Sequence, residues 1–496
     1  MNLTMLLEMA ADGFDDRVLI GRRADGLSAT DLRRAALRGA ALVREAGADA
    51  IVYVAVNGPA FPVAMFAAAY AGVPLVPLNF RLGDEQLGEL LAKHSSALAI
   101  VAPGSQPLLA KNHTRALTPE EWLVETTANS EAEPIFVESE APAVIIYTSG
   151  TTSAPKGVLL RHTNLTSYVF GTVEFGSASP DEAALVSVPP YHIAAVANVI
   201  TNLFAGRRTI VLDRFDPTEW LATVRSEGVS NALVVPTMLA RIVECTGDKT
   251  APSLRSLAYG GAPMPLSVIR RALEMWPDVD FVNAYGLTET SSTVALLTPA
   301  DHREAFAARD PFVRVRLGSV GRAVPGVEIE VRNDDDVVLP PGERGRIWVS
   351  GDQVSAEYAG IGRLLDARGF FDTRDEGFLD EDGFLFIGGR RDDTIIRGAE
   401  NIAPAEIETV FYRHPAVSDV AVVGVPDEEW GQRIVAIVVL RDGMTATSEE
   451  LREYVRGTLR SSKTPDEIAF WHELPRTETG KLVRRNVVAQ FRAEHV

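Results

Sequence analysis

Cysteine is nearly missing from this chain. Cys245 is the single one in 496 residues. No internal disulfide can form, which fits a reducing compartment, and no cysteine cluster is present for structural zinc. Cys245 itself reads as a small packed residue. Positive charge is also scarce: 48 Lys and Arg against 67 Asp and Glu leave a net charge of −19. Arginine pairs occur at Arg207-Arg208, Arg270-Arg271, Arg390-Arg391 and Arg484-Arg485, but they are scattered. Without a basic stripe, a nucleic-acid backbone is not an expected partner. Long hydrophobic runs are lacking too. Residues 54–78 are apolar, yet Asn57, Pro59, Pro62, Pro74 and Pro77 interrupt them, and the alanine-rich middle is too short to span a bilayer. The opening MNLTMLLEMAADGFDD has no basic segment ahead of an apolar one, so it does not read as a secretory signal. No G-x-S-x-G elbow and no H-E-x-x-H pair is present, and WHELP around His472 has no second histidine. These absences point to a soluble, cytoplasmic protein with no transmembrane segment that works on small molecules. A homodimer is compatible with the sequence.

What is present alternates. AIVYVAV precedes AFPVAMFAAAYAG, then come VPLVPLN and the helix-like GDEQLGELLAKHSSA, and further on NALVVP precedes TMLARIVECT. Apolar strands alternating with helices predict α/β architecture with parallel sheets covered on both faces. From about Gly318, GVEIEVRNDDDVVLPPGERGRIWVSG trades helices for short strands between Gly, Pro and Asp turns, which predicts a β-rich subdomain. After GFLFIGGRRDD a new compact unit begins, with helix-like APAEIETVFYRHP and SEELREYVRGTLR around strands VSDVAVVGVP and RIVAIVVLR. The expected division is a large domain over 1–391, of stacked mixed and parallel sheets with helices, and a small α+β domain over 392–496.

The segment YTSGTTSAPKG, residues 147–157, packs hydroxyls, glycines and one lysine between two apolar runs, AVIIY and GVLLR. That is the chemistry of a phosphate cradle. It is not a Walker loop, because Pro155 precedes Lys156 and no helix follows directly. The segment reads as a hairpin tip, whose anion binding rests on backbone N–H groups and hydroxyls rather than on a helix dipole. Three further segments follow in order: NAYGLTET at 283–290, FFDTRDEGFLDEDGFLFIGGRRDDTIIRGAEN at 370–401 and PRTETGKLVRR at 475–485.

Together these four segments resemble the adenylate-forming superfamily of acyl-CoA synthetases, peptide-synthetase adenylation domains and firefly-type luciferases. The resemblance covers nearly the whole chain. It implies that a carboxylate attacks the α-phosphorus of ATP, releasing pyrophosphate and leaving an acyl-adenylate. The site must then neutralise a triphosphate and hold the nucleophile in line. By resemblance, Thr148, Ser149, Gly150, Thr151, Thr152 and Lys156 cover the β- and γ-phosphates. Gly261, Ala262, Pro263 and Tyr285 wall the adenine, with Asn283 reading its amine. Thr288 touches the α-phosphate and Glu289 holds Mg²⁺, a single carboxylate being the usual protein share of such a site. Asp375 takes the ribose hydroxyls with Arg390 beside it. Asp392 is the hinge of a mobile C-terminal domain, and Lys481 is the catalytic lysine, offsetting charge where it builds. After rotation about the hinge, Gly398, Ala399 and Glu400 wall a channel for coenzyme A, whose thiol displaces AMP. Outside this context Lys481 would read as a solvated loop lysine and Glu289 as surface.

The segment PPYHIAAVANVITNLFAG, residues 189–206, resembles the start of the family's acid pocket. His192 stands at its gate, a candidate for catalysis as well as for substrate contact, followed by Ile193, Ala194, Val196 and Ala197, and Gly286 is a further candidate substrate residue. No aspartate is present to meet an ammonium, so an amino-acid substrate is disfavoured. A fatty, branched, alicyclic or aromatic acid is expected. The chain ends soon after Lys481 without a carrier domain, which favours free coenzyme A as acceptor. The alternative is an enzyme that loads a separate carrier protein. An oxidative, luciferase-like use of the adenylate and a catalytically silent binding protein are further readings, the last opposed by Lys481, Glu289 and Asp375. Three motif glycines are replaced, by Ser153, Arg374 and Ala399. Glycine serves positive φ or close approach, so Ser153 bears on the loop geometry or adds a hydroxyl for phosphate, Arg374 bears on the ribose site or pairs with an acid, and Ala399 bears on the width of the thiol channel. No charged catalytic group is removed, and activity is expected.

Overall fold

The computed structural model describes residues 1–14, 16–104, 115–128, 130–148, 155–390, 393–397, 400–427, 431–459, 461–477, 480 and 482–494, without the side chains of residues 390, 400 and 401. Among the described residues, the main body is built on two large sheets of eight and nine strands. The first has Leu75–Pro77, Ile51–Val54, Leu98–Val101 and Arg115–Leu117 as parallel neighbours. The helix Ala60–Ala71 joins the first two of these strands. It is buried on nearly every side, and its residues share one core cluster with strands of both sheets. A helix that is apolar all round belongs between layers rather than on a surface.

The second sheet carries a parallel run of Arg208–Val211, Ala183–Val186, Asn231–Val234, Ser256–Gly260 and Asp280–Leu287. Helices Ile193–Ala205 and Pro236–Glu244 form two of its crossovers. The hairpin expected around the phosphate-like loop is present: Pro142–Thr148 pairs antiparallel with Lys156–Arg161 at one side of the first sheet, with Thr148 opposite Lys156. Downstream lies the β-rich part, an antiparallel sheet of Glu328–Arg332, Gly345–Ser350, Phe371–Leu379 and Leu385–Arg390.

The C-terminal unit has its own cores. Strands Val417–Asp427 and Gly431–Leu440 pair antiparallel, and Glu467–Phe470 adds in parallel. Alternation divides VAVVGV between two faces. Val420 and Val422 pack with helices Pro404–Phe411 and Ser448–Arg456. Ala421, Val423 and Val425 pack with Val487 and Phe491 of helix Arg484–Glu494. Both faces of the sheet are therefore dry, and the strands read as an unbroken apolar run.

Candidate active site

A cavity of about 740 Å³ opens along the second sheet. Side-chain size explains where it sits. Successive residues of a strand point to opposite faces, and the face that borders the cavity carries Ser256, Ala258 and Gly260 on one strand and Val282, Ala284 and Gly286 on the next. Small side chains leave the space there. The other face of the same strand carries Leu257 and Tyr259, both fully buried. Gly286 has no freedom to change: a Cβ would stand 1.7 Å from the Ser292 carbonyl oxygen, where the register of the strand pair shifts.

The outer end of the cavity is charged. Thr148, Lys156, Thr288, Glu289 and Tyr358 all border it. The Tyr358 hydroxyl donates to Glu289 Oε1 at 2.8 Å, and the Lys156 ammonium lies 5.9 Å from the Tyr358 ring centroid. Tyr358 thus ties an anion and a cation from different sheets to one spot. The carbonyl of Glu289 accepts from the Ser355 and Ala356 backbone N–H groups, fixing its turn. Burial pushes the Tyr147 phenol up, and His94 Nε2 meets its hydroxyl at 3.0 Å. Burial likewise pushes the Tyr191 phenol up to about 12, against the pull of Arg81. Both phenols remain protonated and neutral at ordinary pH.

Beside the charged end, the Tyr285 hydroxyl donates to Asp375 Oδ2 at 2.6 Å. A hydrogen bond to a carboxylate is worth about 1.5–3 kcal/mol, so this contact holds the second sheet to the β-rich part. Asp375 is 5% exposed and stands opposite Arg390 in the strand pair. Arg374, the residue before it, has φ of +61° and borders the cavity. An arginine is thus held where the backbone favours glycine, and the Arg374 N–H donates to Asp372 Oδ1 at 2.8 Å. His192, at the N-cap of the helix Ile193–Ala205, and Ile193, Ala194 and Ala197 on that helix border the cavity.

The small unit reaches the same place. Arg476 and Thr477 border the cavity. Arg476 donates to both oxygens of Asp419, at 3.0 and 2.7 Å, and to the Gly480 carbonyl at 2.7 Å. These bonds fix Gly480 relative to the strand that carries Asp419. Gly480, at φ +71°, packs so closely that a Cβ would meet Thr237 Oγ1 at 2.4 Å.

Several expected site residues stand elsewhere. Val196 is fully buried in the main core and does not border the cavity; helical periodicity turns it away from the face of Ala194 and Ala197. Asn283 is buried and donates from Nδ2 to the Ser319 carbonyl at 3.0 Å, so its amide is engaged by the chain itself. Gly261 borders the cavity, whereas Ala262 and Pro263 do not. Ser149, Gly150, Thr151, Thr152, Ser153, Asp392, Gly398, Ala399 and Lys481 lie outside the described residues, as do the side chains of Arg390 and Glu400.

The sequence matches the family model of the AMP-binding enzyme over residues 7–359 and that of the AMP-binding enzyme C-terminal domain over residues 406–481. A feruloyl-CoA synthase of Amycolatopsis sp. is 34% identical over 476 residues, covering 94% of each chain. The fatty acid–[acyl-carrier-protein] ligase ScoC of Streptomyces coeruleorubidus is 30% identical over 464 residues, 89% of this chain and 87% of that one. Among solved structures, ATP-bound MatB from Rhodopseudomonas palustris superposes with a TM-score of 0.88 at 26% identity over the whole of both chains. The chain therefore belongs to the adenylate-forming superfamily of AMP-binding enzymes, in its acid–CoA ligase branch.

Proposed function

We propose that the cavity is where ATP meets a mostly apolar carboxylic acid, and that the chain makes the acyl-adenylate and then the coenzyme A thioester. The observation that carries this reading is the division of one cavity: a cation, a carboxylate and hydroxyls at the outer end, and the Ile193–Ala197 helix turn and small sheet residues further in. The carboxylate oxygen would bond to the α-phosphorus as pyrophosphate leaves. The thiol would then bond to the acyl carbon as AMP leaves, giving its proton to solvent. Lys156 would offset phosphate charge, and Thr288 would orient the α-phosphate. Asp375, held by Tyr285, would receive the ribose hydroxyls. Lys481 would come to the reacting oxygens from beside Gly480, whose carbonyl Arg476 holds.

Mg²⁺ fits this arrangement only as a shared ion. Among the described residues no three acidic, His or Cys side chains converge on one point. Glu289 faces the cavity alone, which suits an ion held by one carboxylate, phosphate oxygens and water. Bound there, the ion would neutralise phosphate charge.

The domain division at 391/392, with Asp392 as hinge, is part of the same proposal. It is supported by the separate cores on either side. In the second half-reaction Gly398, Ala399 and Glu400 would line the thiol's approach. Use of ATP and coenzyme A supports a cytoplasmic place, and among the described residues no helix is long and apolar enough to cross a membrane.

The test is AMP formation across fatty, branched, alicyclic, benzoic, cinnamic and dicarboxylic acids, with and without coenzyme A. Turnover that needs coenzyme A and yields the thioester supports the reading. AMP formation indifferent to coenzyme A would favour a carrier protein as acceptor, the reaction named for the Streptomyces coeruleorubidus relative.

A further inference from the structure

The cavity does not end as it begins. In the helix Ile193–Ala205, residues 194, 197, 198, 201 and 202 are three or four apart and share one face. All five border the cavity, while Val196, Val199, Ile200 and Leu203 turn into the core. The cavity face starts with two alanines and finishes with Asn198, Thr201 and Asn202. The helix links the parallel strands Ala183–Val186 and Arg208–Val211, so it runs back against them, and its C-terminal end lies at their N-terminal edge. At that edge stand Asn231 and Ser256, direct neighbours in the strand pair, both bordering the cavity with Arg207. The distance inward is about 12 Å along the helix from residue 194 to 202. It is about 13 Å along the strand from Gly260 to Ser256. The two lengths agree, and the far end is polar on both walls.

Hydrogen bonding tells what kind of group this floor awaits. Arg207 Nε donates to Glu182 Oε2 at 2.9 Å and its guanidinium also donates to Asn202 Oδ1 at 3.1 Å. Its charge is matched, and so is that of Glu182. Asn198 and Asn202 donate to backbone carbonyls one helical turn back, and Thr201 does the same. Asn231 differs. Its Oδ1 accepts from Ser230 Oγ at 2.7 Å, and its amide NH₂ has no acceptor among the described residues. The Ser256 and Tyr168 hydroxyls border the same cavity and likewise have no hydrogen-bond partner among the described residues. Asn231 and Ser256 are half-buried, and a ligand that covered them without bonding to them would shut them away unpartnered, at a cost in free energy. A ligand that ends in an apolar group would impose that cost on Asn231 and Ser256, whereas one that ends in a hydroxyl would remove it. A second carboxylate or an ammonium would meet no uncompensated charge.

We propose that this floor, Asn231 and Ser256 with Asn198, selects an acid whose carboxyl and a neutral hydroxyl lie at opposite ends of a rigid apolar body, as in a para-hydroxylated aryl acid. The proposal rests on the ligase reading and adds the far end of the substrate to it. The decisive comparison is kcat/KM for AMP formation with three cinnamates that differ only at the para position: hydroxyl, methyl and carboxylate. The hydroxyl acid is expected to exceed its methyl isostere by at least about tenfold, since donors that the bound acid would cover and leave unpaired discriminate strongly, and the carboxylate is expected to be poorest. Asn231→Leu and Asn198→Leu are expected to lower the hydroxyl-to-methyl ratio toward one by loss on the hydroxyl acid. Equal values for hydroxyl and methyl in the unaltered enzyme, as for a floor covered by water, would overturn the proposal even if neither variant folds. Silence of all three cinnamates beside turnover of a fatty acid would overturn it too and leave the ligase reading standing. Silence with every acid would remove the ligase reading and the proposal together.

Discussion

The two ends of the cavity are polar in different ways. At the outer end Lys156 and Glu289 stand near one tyrosine, and neither is matched by an opposite charge in a direct ion pair among the described residues. At the inner end Arg207 is closed on Glu182 and the groups left over are amides and hydroxyls. Open charge suits a reaction that moves charge, and it is indifferent to the rest of the acid. Neutral donors do no chemistry, but they make one substrate tail cheaper to bury than another. The contrast assigns rate to one end and choice to the other, and it can be broken from either side.

The largest effect is expected at the outer end. Lys481→Ala should lower acyl-adenylate formation by about 10²–10³-fold, the usual loss for one preorganised charge-stabilising donor. Thioester formation from a preformed acyl-adenylate should fall far less, because the lysine would serve only the first step. Equal loss in both half-reactions, measured by single turnover, would remove Lys481 from its proposed place.

The two ends also differ in how far the sequence revealed them. Residues of the outer end come in short contiguous runs, Tyr147–Gly157, Asn283–Thr290 and Pro475–Arg485, because a triphosphate is held by loops whose neighbours act together. Even there, local sequence could not show that Asn283 is spent on Ser319 or that Tyr285 is spent on Asp375. Those bonds span 36 and 90 residues. The inner end is assembled from Glu182, Asn198, Asn202, Arg207, Asn231 and Ser256, on five separate elements and loops. Only the Asn198–Thr201–Asn202 stripe is written in one place, at helical spacing inside an apolar helix, where the apolar Ile193, Ala194, Val196 and Ala197 are the stronger signal of a pocket wall. The strand alternation and helix alternation that build the sheets were legible throughout, since burial on both faces leaves continuous apolar runs.

A second test strikes the wall between the ends. Tyr259 lies on the strand of Ser256 and Gly260 but faces away from the cavity, where its hydroxyl meets His302 Nε2 at 2.8 Å. His302 Nδ1 donates to the Thr298 carbonyl. Burial pulls the His302 imidazole down to about 4, against 6.5 ordinarily. The unfolded chain therefore binds a proton between these values that the folded chain refuses. Stability is whole above pH 6.5 and falls as pH drops toward 4, by about 3 kcal/mol for a shift of this size. Thermal melts from pH 7 to 4 should show a loss that His302→Gln reduces, and turnover of every acid should fail together with the fold. A selective loss of one acid class in that window would show that the inner end titrates, against its neutral description.

The neutrality of the inner end is open to direct attack. Glu182→Gln leaves Arg207 with Asn202 as its remaining side-chain partner among the described residues and without a carboxylate. An acid with a second carboxylate at its far end should then gain about tenfold in kcat/KM, some 1.4 kcal/mol. The para-hydroxyl acid should gain nothing. Equal response of both acids would mean that Glu182 acts on the fold rather than on the charge seen by the substrate.

The smallest effect concerns Arg374, which sets strain against charge at the outer end. An L-residue in the left-handed region costs roughly 1–2 kcal/mol, and glycine returns part of that through its greater freedom when unfolded. Arg374→Gly should therefore stabilise the protein by up to about 1 kcal/mol, read as a higher denaturation midpoint. The arginine borders the cavity beside Thr373, so the same change should weaken ATP binding if its guanidinium reaches a phosphate. A gain in stability with a raised KM for ATP would mean the strain is kept for the sake of the charge. A gain in stability with KM unchanged would mean the outer end tolerates Arg374 without using it, and the open charge there would reduce to Lys156, Glu289 and the lysine of the small unit.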